Sequence, residues 1–141
     1  MDSRFKNCME EGKIVKIGAQ PDLVKKELAA AELDLKSCEK SLKEDDPKWA
    51  TVPAYYSMFH SAKALVLSKG FREKSHYCLS VALKALFVDG NLLEAVHYER
   101  FRDCMNLRQD ADYGMIYSEK SAGEVALWAR EFLSEAKKLL K

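Results

Sequence analysis

From Pro21 to Lys43 the chain reads PDLVKKELAAAELDLKSCEKSLK, and this stretch decides the fold. Its apolar residues are spaced alternately by four and three positions; they are Val24, Leu28, Ala31, Leu35, Cys38 and Leu42. This spacing places them along one side of an α-helix, with charged residues over much of the remaining surface. Pro47 follows the charged end of the stretch, where it blocks continuation and can open the next helix. The stretch therefore predicts an amphipathic helix that packs against others.

The same alternation of three and four continues along the chain. It predicts helices over residues 48–69, 76–88, 92–111 and 119–140. Gly70 supplies a left-handed stop after the first of these, and Ser75 and Ser118 are suited to cap the helices that follow them. With short connections and no strand-like alternation, the pattern predicts an all-α fold, an antiparallel up-and-down bundle of four to five helices.

The first twenty residues are the least regular part of the chain. A short helix carrying Phe5, Cys8 and Met9 fits residues 3–11. The apolar residues 14–17 form a patch that is too short to classify. We therefore expect residues 1–20 to be a partly ordered N-terminal extension and residues 21–141 to be the helical domain.

Length and composition exclude several classes of protein. The 141 residues correspond to one domain that can bury a real core. Hydrophobic residues make up 48% and charged residues 32%, the profile of a helical protein that is neither disordered nor membrane-embedded. No apolar run approaches the roughly 20 residues of a membrane span, and the N-terminus lacks the apolar core of a signal peptide. These features predict a cytoplasmic protein without membrane association.

Charge and cysteine usage narrow the chemistry further. The 23 basic and 22 acidic residues nearly cancel, so a basic surface for nucleic acid would have to be local. The cysteines Cys8, Cys38, Cys78 and Cys104 lack the close pairs of a metal site. We expect them to be reduced thiols in or near the core, and we expect no metal and no cofactor.

Among catalytic motifs, few candidates remain. The scattered glycines form no phosphate-binding loop, and the His-Glu-x-x-His pattern of zinc peptidases is absent. Ser75 and His76 could form a nucleophile–base dyad, but a helix-capping serine is the commoner explanation for adjacent residues. Tyr55, Tyr56 and His60 are polar groups beside a core stripe, and we interpret them as core-edge residues with satisfied hydrogen bonds.

An arginine stands in line with an apolar stripe near residues 107–114, LRQDADYG. The stripe consists of His97, Phe101, Cys104, Arg108 and Ala111. A guanidinium on a packing face costs several kcal/mol to desolvate unless it is paired, which favours a ligand such as phosphate. The alternative is structural: Asp112 is four residues away and could neutralise Arg108 on the same helix.

Three blocks of the sequence resemble the HEPN family of small helical domains. AYYSMFHSAKAL at residues 54–65 looks like its second-helix signature, and KSH at residues 74–76 with FVDG at 87–90 looks like its third-helix block. RQDADY at residues 108–113 resembles the Arg-x-x-Ala-Asp-Tyr ending of its fourth helix. The three blocks occur in the right order, and the similarity covers roughly residues 22–138.

This resemblance implies a bundle that commonly forms a homodimer across its motif-bearing helices. Many members are metal-independent RNA endonucleases, and others pair with a minimal nucleotidyltransferase in toxin–antitoxin modules. Active members carry an arginine, then four to six residues, then a histidine. Arg108 matches that arginine, but Tyr113, Gly114 and Met115 occupy the positions where the histidine should fall.

The missing histidine makes cleavage doubtful, because a tyrosine with a pKa near 10 is rarely ionised at neutral pH. His97 lies on the same predicted helix but about 16 Å from Arg108 at 1.5 Å per residue. The candidate catalytic residues are Arg108, Asp112 and Tyr113, and Tyr113 is alternatively a modification target for a nucleotidyltransferase. The candidate phosphate- or nucleotide-binding residues are Arg108, Tyr56, His60 and His76.

Three functions follow from this pattern. The first is a nucleotide- or RNA-phosphate-binding homodimer that works with a minimal nucleotidyltransferase in a toxin–antitoxin-like module. The second is an active metal-independent RNA endonuclease. The third is a purely structural helical dimerisation module, in which Arg108 and Asp112 form a buried pair.

Overall fold

Two long antiparallel helices form the centre of the molecule, α2 (Pro21–Lys43) and α3 (Pro47–Ser68). The computed structural model describes residues 2–109 and 119–141, without the side chains of Lys48 and of residues 107–109 and 119–121. The hydroxyl of Ser57 donates a buried hydrogen bond of 2.8 Å to the carbonyl oxygen of Ala31. Both helices begin and end within a residue of their predicted bounds.

Helix α3 is buried on more sides than the one stripe that its spacing predicts, which consists of Val52, Tyr55, Phe59, Ala62 and Val66. Tyr55, Met58 and Leu65 are almost completely buried, and so are Ser57 and Ser61 on other faces of the helix. Each serine hydroxyl donates to a backbone carbonyl, which satisfies it inside the core. A single amphipathic stripe is therefore too narrow a description of α3, because helices pack against it from several directions.

The last helix, α6 (Glu119–Leu139), packs against both central helices and runs antiparallel to α2. Arg130 of α6 pairs with Glu39 of α2 at 3.2 Å. Lys137, two turns farther along α6, pairs with Glu32, two turns nearer the start of α2. The spacing of three and four predicts a core stripe of Ala122, Val125, Ala129, Phe132, Ala136 and Leu139 on α6. The first five are buried, and Leu139, in the last turn, is half-buried.

Helices α4 (His76–Leu83) and α5 (Ala95–Gln109) pack beside this core. The predicted cap is confirmed, since the hydroxyl oxygen of Ser75 accepts a hydrogen bond from the backbone N–H of Cys78. Beyond α4 the chain continues as a π-helical turn, Lys84–Val88, rather than as one α-helix. Helix α5 starts three residues later than predicted.

The N-terminal residues add a helix, a strand and part of the core. Helix α1 (Ser3–Glu10) is followed by β1 (Ile14–Lys16), which pairs antiparallel with β2 (Phe71–Glu73). Phe5 and Ile14 are buried. Neither strand was predicted, because three-residue strands are too short to show alternation and their partners are distant in sequence.

The cysteine prediction is wrong for one pair. Cys8 of α1 and Cys78 of α4 form a disulfide with a Cα–Cα distance of 6.0 Å. Cys38 and Cys104 are free thiols in the core, as predicted. Burial raises the pKa of Cys38 to about 11 and that of Cys104 to about 12. Sequence spacing could not show the disulfide, because it depends on α1 lying against α4.

The predicted all-α class is confirmed, and the described residues contain six α-helices with one small strand pair. Within the described ranges, no helix is long and apolar enough to cross a membrane.

Candidate functional site

Arg108 belongs to α5, four residues after the buried Cys104. The stripe that precedes it is confirmed, since His97, Phe101 and Cys104 are all buried. The side chain of Arg108 is not described, and Asp112 and Tyr113 lie outside the described residues. The arrangement of these three candidate catalytic residues therefore stays a prediction.

A buried tyrosine connects α5 to the start of α4. Tyr55 is only 1% exposed, and its hydroxyl shares a hydrogen bond of 2.7 Å with Nδ1 of His76. The Tyr55 ring stacks on His76 on α4 and on Phe101 on α5, with centroid distances of 6.0 and 5.9 Å. Phe101 precedes Arg108 by seven residues, about 10 Å along the helix axis. Tyr55 thus links the candidate histidine to the helix that carries the candidate arginine.

An open hollow of about 220 Å³, which we call the His76 hollow, lies next to this pair. Its lining consists of Phe59, Lys63, Glu73, Lys74, Ser75 and His76. His76 and Lys74 are exposed, and the ammonium of Lys63 lies 5.6 Å from the centroid of the Phe59 ring. Two lysines and an imidazole around an aromatic ring are groups that can bind a phosphate and stack a base.

Glu73 is the one carboxylate in the lining of the His76 hollow. Its residue is 9% exposed, and Oε1 lies 3.5 Å from the Lys63 ammonium. Oε2 is buried and makes no hydrogen bond with any described residue. Burial raises the pKa of Glu73, and the nearby Lys63 opposes that rise only in part. Burial thus disfavours the negative charge of Glu73, while two lysines, Lys63 and Lys74, lie in the same lining.

His60 occupies a different environment, between two carboxylates of α2. Its Nδ1 is 2.5 Å from Oε2 of Glu27, and its Nε2 is 3.6 Å from Oδ2 of Asp34. Burial alone would raise the pKa of Glu27, but the hydrogen bond from His60 and the charge of Lys63 lower it below its usual value. Two acidic neighbours repel a phosphate, so this environment disfavours His60 as a phosphate-binding residue.

The other predicted residues take supporting positions. Tyr56 is half-buried and packs edge-on against Tyr55, with its ring 6.5 Å from that of His60. His97 is buried beside Phe132, and its Nδ1 makes no hydrogen bond with the described residues. Neither residue lines the His76 hollow.

The charged residues around both histidines were not predicted as part of a site; they are Glu27, Asp34, Lys63, Glu73 and Lys74. Their only sequence signal was a place on a polar helix face or in a short connection, which is ordinary for solvent-exposed residues. The spacing Glu-x-x-His, a metal-ligand pattern in other bundles, occurs at Glu73–His76 and Glu94–His97. No group of three or more potential ligands converges within the described part of the chain.

The family comparison agrees with the bundle and with the sequence blocks on its helices. The HEPN domain family matches residues 24–141, which include α2 from its first turn, α3, α4, α5 and α6. The chain therefore belongs to the HEPN domain family, and the resemblance predicted from the three blocks is confirmed.

Three relatives show what this chain is similar to. It is 34% identical over 93 residues to a protein of Methanocaldococcus jannaschii named "Putative toxin MJ0605", covering 65% of this chain and 69% of the relative. A second protein of that organism, "Putative toxin MJ0142", is 31% identical over 119 residues, which is 83% of this chain and 81% of the relative. "UPF0332 protein PH1297" of Pyrococcus horikoshii is 34% identical over 77 residues, 55% of this chain and 54% of the relative.

Proposed function

We propose that this toxin-like HEPN protein binds the phosphates of RNA or of a nucleotide, and that it does so as a homodimer in the cytoplasm. Its working partner is a minimal nucleotidyltransferase in a toxin–antitoxin-like module. Two relatives that this chain matches over most of their length carry the name "Putative toxin", which supports the toxin class. The structural observation that carries the ligand class is the link from α5 through Tyr55 to the His76 hollow.

Each group in this arrangement has a distinct binding role. The planar guanidinium of Arg108 suits a bidentate contact with one phosphate. Lys74 and His76 supply further donors at the rim of the hollow, and Lys63 lies deeper beside Glu73. The hydrogen bond between the Tyr55 hydroxyl and Nδ1 fixes the orientation of the His76 ring. A single-stranded RNA long enough to contact both places would bind through more than one phosphate.

The residues after Arg108 favour a protein that binds RNA without cleaving it efficiently. No histidine follows Arg108 at the motif spacing, so the usual proton carrier is missing. An active ribonuclease is the second candidate, because His76 is exposed and oriented by Tyr55. In that case His76 would carry the proton, and His76→Ala would abolish cleavage of RNA.

RNA binding tests the proposal directly. We expect Arg108→Ala to weaken binding of a short single-stranded RNA by about tenfold or more and to lower the salt dependence of the affinity. The affinity of Arg108→Lys for RNA should lie between those of the wild type and Arg108→Ala, because lysine keeps the charge but lacks the planar guanidinium. Fluorescence anisotropy at several salt concentrations measures both quantities.

The matched control is Arg130→Ala, which removes an arginine of α6 that pairs with Glu39 on the surface. Its affinity for RNA should stay within about twofold of the wild type. If the wild type binds neither RNA nor nucleotide and Arg108→Met is as stable as the wild type or more so, the purely structural module is the better description.

Partner and toxicity are tested in cells. Expression of the chain alone should slow growth, and co-expression with a minimal nucleotidyltransferase should restore growth and yield a complex on co-purification. Arg108→Ala should be harmless. The absence of a complex, together with a monomer in sedimentation at micromolar concentration, would contradict both the partner and the homodimer.

A further inference from the structure

Two adjoining hollows form a groove at the end of the bundle where α2 begins and where α3 and α6 end. The first has a volume of about 360 Å³, and its lining is Ala19, Gln20, Pro21, Val24, Lys25, Leu28, Ser68 and Leu140. The second has a volume of about 410 Å³, and its lining is Ser68, Lys69, Phe87, Leu92, Leu139, Leu140 and Lys141. Ser68 and Leu140 belong to both, so the hollows adjoin. We call them together the terminal groove.

The floor of the terminal groove is apolar. Its apolar side chains are Val24, Leu28, Phe87, Leu92, Leu139 and Leu140. Leu92 is 47% exposed, although it lies beside the buried Phe87. A concave apolar surface of this kind gains free energy when another apolar surface covers it.

The ionisable side chains that line the terminal groove are all lysines. Lys25, Lys69 and Lys141 are in the lining, and no Asp or Glu is. None of the three forms an ion pair with a described residue, although Lys69 lies 5.4 Å from the Phe87 ring centroid. This local excess of lysines contrasts with the whole chain, which has 23 basic and 22 acidic residues.

We infer that the terminal groove binds an acidic amphipathic segment of a partner protein. Apolar side chains of the segment would enter the two hollows, and its carboxylates would meet Lys25, Lys69 and Lys141. A second copy of this chain fits poorly, because a twofold contact of the groove with itself would place lysines against lysines. The terminal groove shares no residue with the His76 hollow or with α5. The partner site and the phosphate site can therefore be tested independently.

Three synthetic helical peptides test the chemistry of this partner. The first has a row of leucines flanked by glutamates, the second replaces the glutamates with lysines, and the third replaces the leucines with serines. We expect only the first to bind, with an affinity that falls as salt rises and with NMR shifts centred on Leu92 and Leu140. Equal binding of the lysine peptide, or no binding of the first, would overturn the inference.

Charge reversal on the rim provides the matched variants. Lys25→Glu and Lys69→Glu combined should weaken binding of the acidic peptide by about tenfold or more. Lys36→Glu changes an exposed lysine of α2 outside the groove and should alter the affinity by less than about twofold. Circular dichroism and thermal unfolding should show that both proteins fold as the wild type does.

A lipid surface or a second copy of this chain could occupy the groove instead, and each would give a distinct experimental result that overturns the inference. Binding to vesicles of anionic phospholipid that the rim variant abolishes would assign the groove to a lipid surface. Self-association in sedimentation that the same variant abolishes would assign it to a second copy. RNA binding should be unchanged in the rim variant, which separates this test from that of the phosphate site.

Discussion

At the scale of single residues, the two histidines of the candidate site show how neighbours decide function. His60 lies between Glu27 and Asp34, whereas His76 shares a hollow with Lys63, Lys74 and the buried Glu73 and is hydrogen-bonded to Tyr55. The imidazole of His60 is therefore surrounded by acidic groups, and that of His76 mainly by basic groups. A phosphate is attracted to the second place and repelled from the first.

The Glu27–His60 pair makes a testable contribution to stability. We predict that Glu27→Gln lowers the free energy of unfolding by about 1 kcal/mol at neutral pH, because it replaces a partly screened charge-assisted hydrogen bond. The folded-state pKa of Glu27 lies below its usual value. The stabilisation is therefore present above that usual value and is lost as the pH falls through the folded-state pKa.

Urea unfolding at neutral and at acidic pH measures this effect. The difference between Glu27→Gln and the wild type should shrink below about pH 4. Glu124→Gln, at an exposed position of α6, should change stability by less than about 0.5 kcal/mol at either pH. A difference that persists unchanged in acid would show that the carboxylate charge is not the cause.

At the scale of elements, small residues set how closely α2 and α3 approach. Ala31 of α2 is completely buried, and Ser57 of α3 donates a hydrogen bond to its carbonyl oxygen. Ala54 and Ala62 keep α3 equally narrow in the core. A short side chain at these positions leaves room for backbone and side chain to meet, and a longer one has no space to enter.

We predict that Ala31→Leu lowers the free energy of unfolding by about 1–3 kcal/mol, because extra methylene groups overpack the contact between the two helices. Chemical denaturation measures the loss. Ala29→Leu, at an exposed position on the same helix, should change stability by less than about 0.5 kcal/mol. Equal losses in the two variants would point to helix propensity rather than to packing.

At the scale of the whole molecule, the Cys8–Cys78 disulfide ties the N-terminal helix to α4 across 70 positions of sequence. Phe5 and Ile14 join the same core from the N-terminal side. In the cytoplasm that we propose, most disulfides are reduced. The oxidised and reduced proteins are therefore both relevant forms of the molecule.

We predict that Cys8→Ser lowers the free energy of unfolding by about 4 kcal/mol under oxidising conditions, because the closed loop is long and its removal enlarges the unfolded ensemble. A reducing agent should lower the melting temperature of the wild type and leave that of Cys8→Ser unchanged. A wild type that is insensitive to reduction would contradict the role of the disulfide.

The helices were predictable because their patterns are local. Residues three and four apart share a helix face, so the stripes of α2, α5 and α6 could be predicted without knowledge of their neighbours. The HEPN family was predictable for a related reason, since its signature blocks are short runs of consecutive residues. Arg108 was likewise identified by its place in such a run.

Other features depended on contacts between residues that are far apart in sequence. They are the pairing of β1 with β2, the Cys8–Cys78 disulfide, the carboxylates around His60, and the lysines around the His76 hollow and the terminal groove. Sequence alone determined the all-α class, the helix faces and the motif arginine, because the geometry of a helix follows from neighbouring residues. The tertiary structure alone decided which charges surround each histidine, because that depends on how the helices pack.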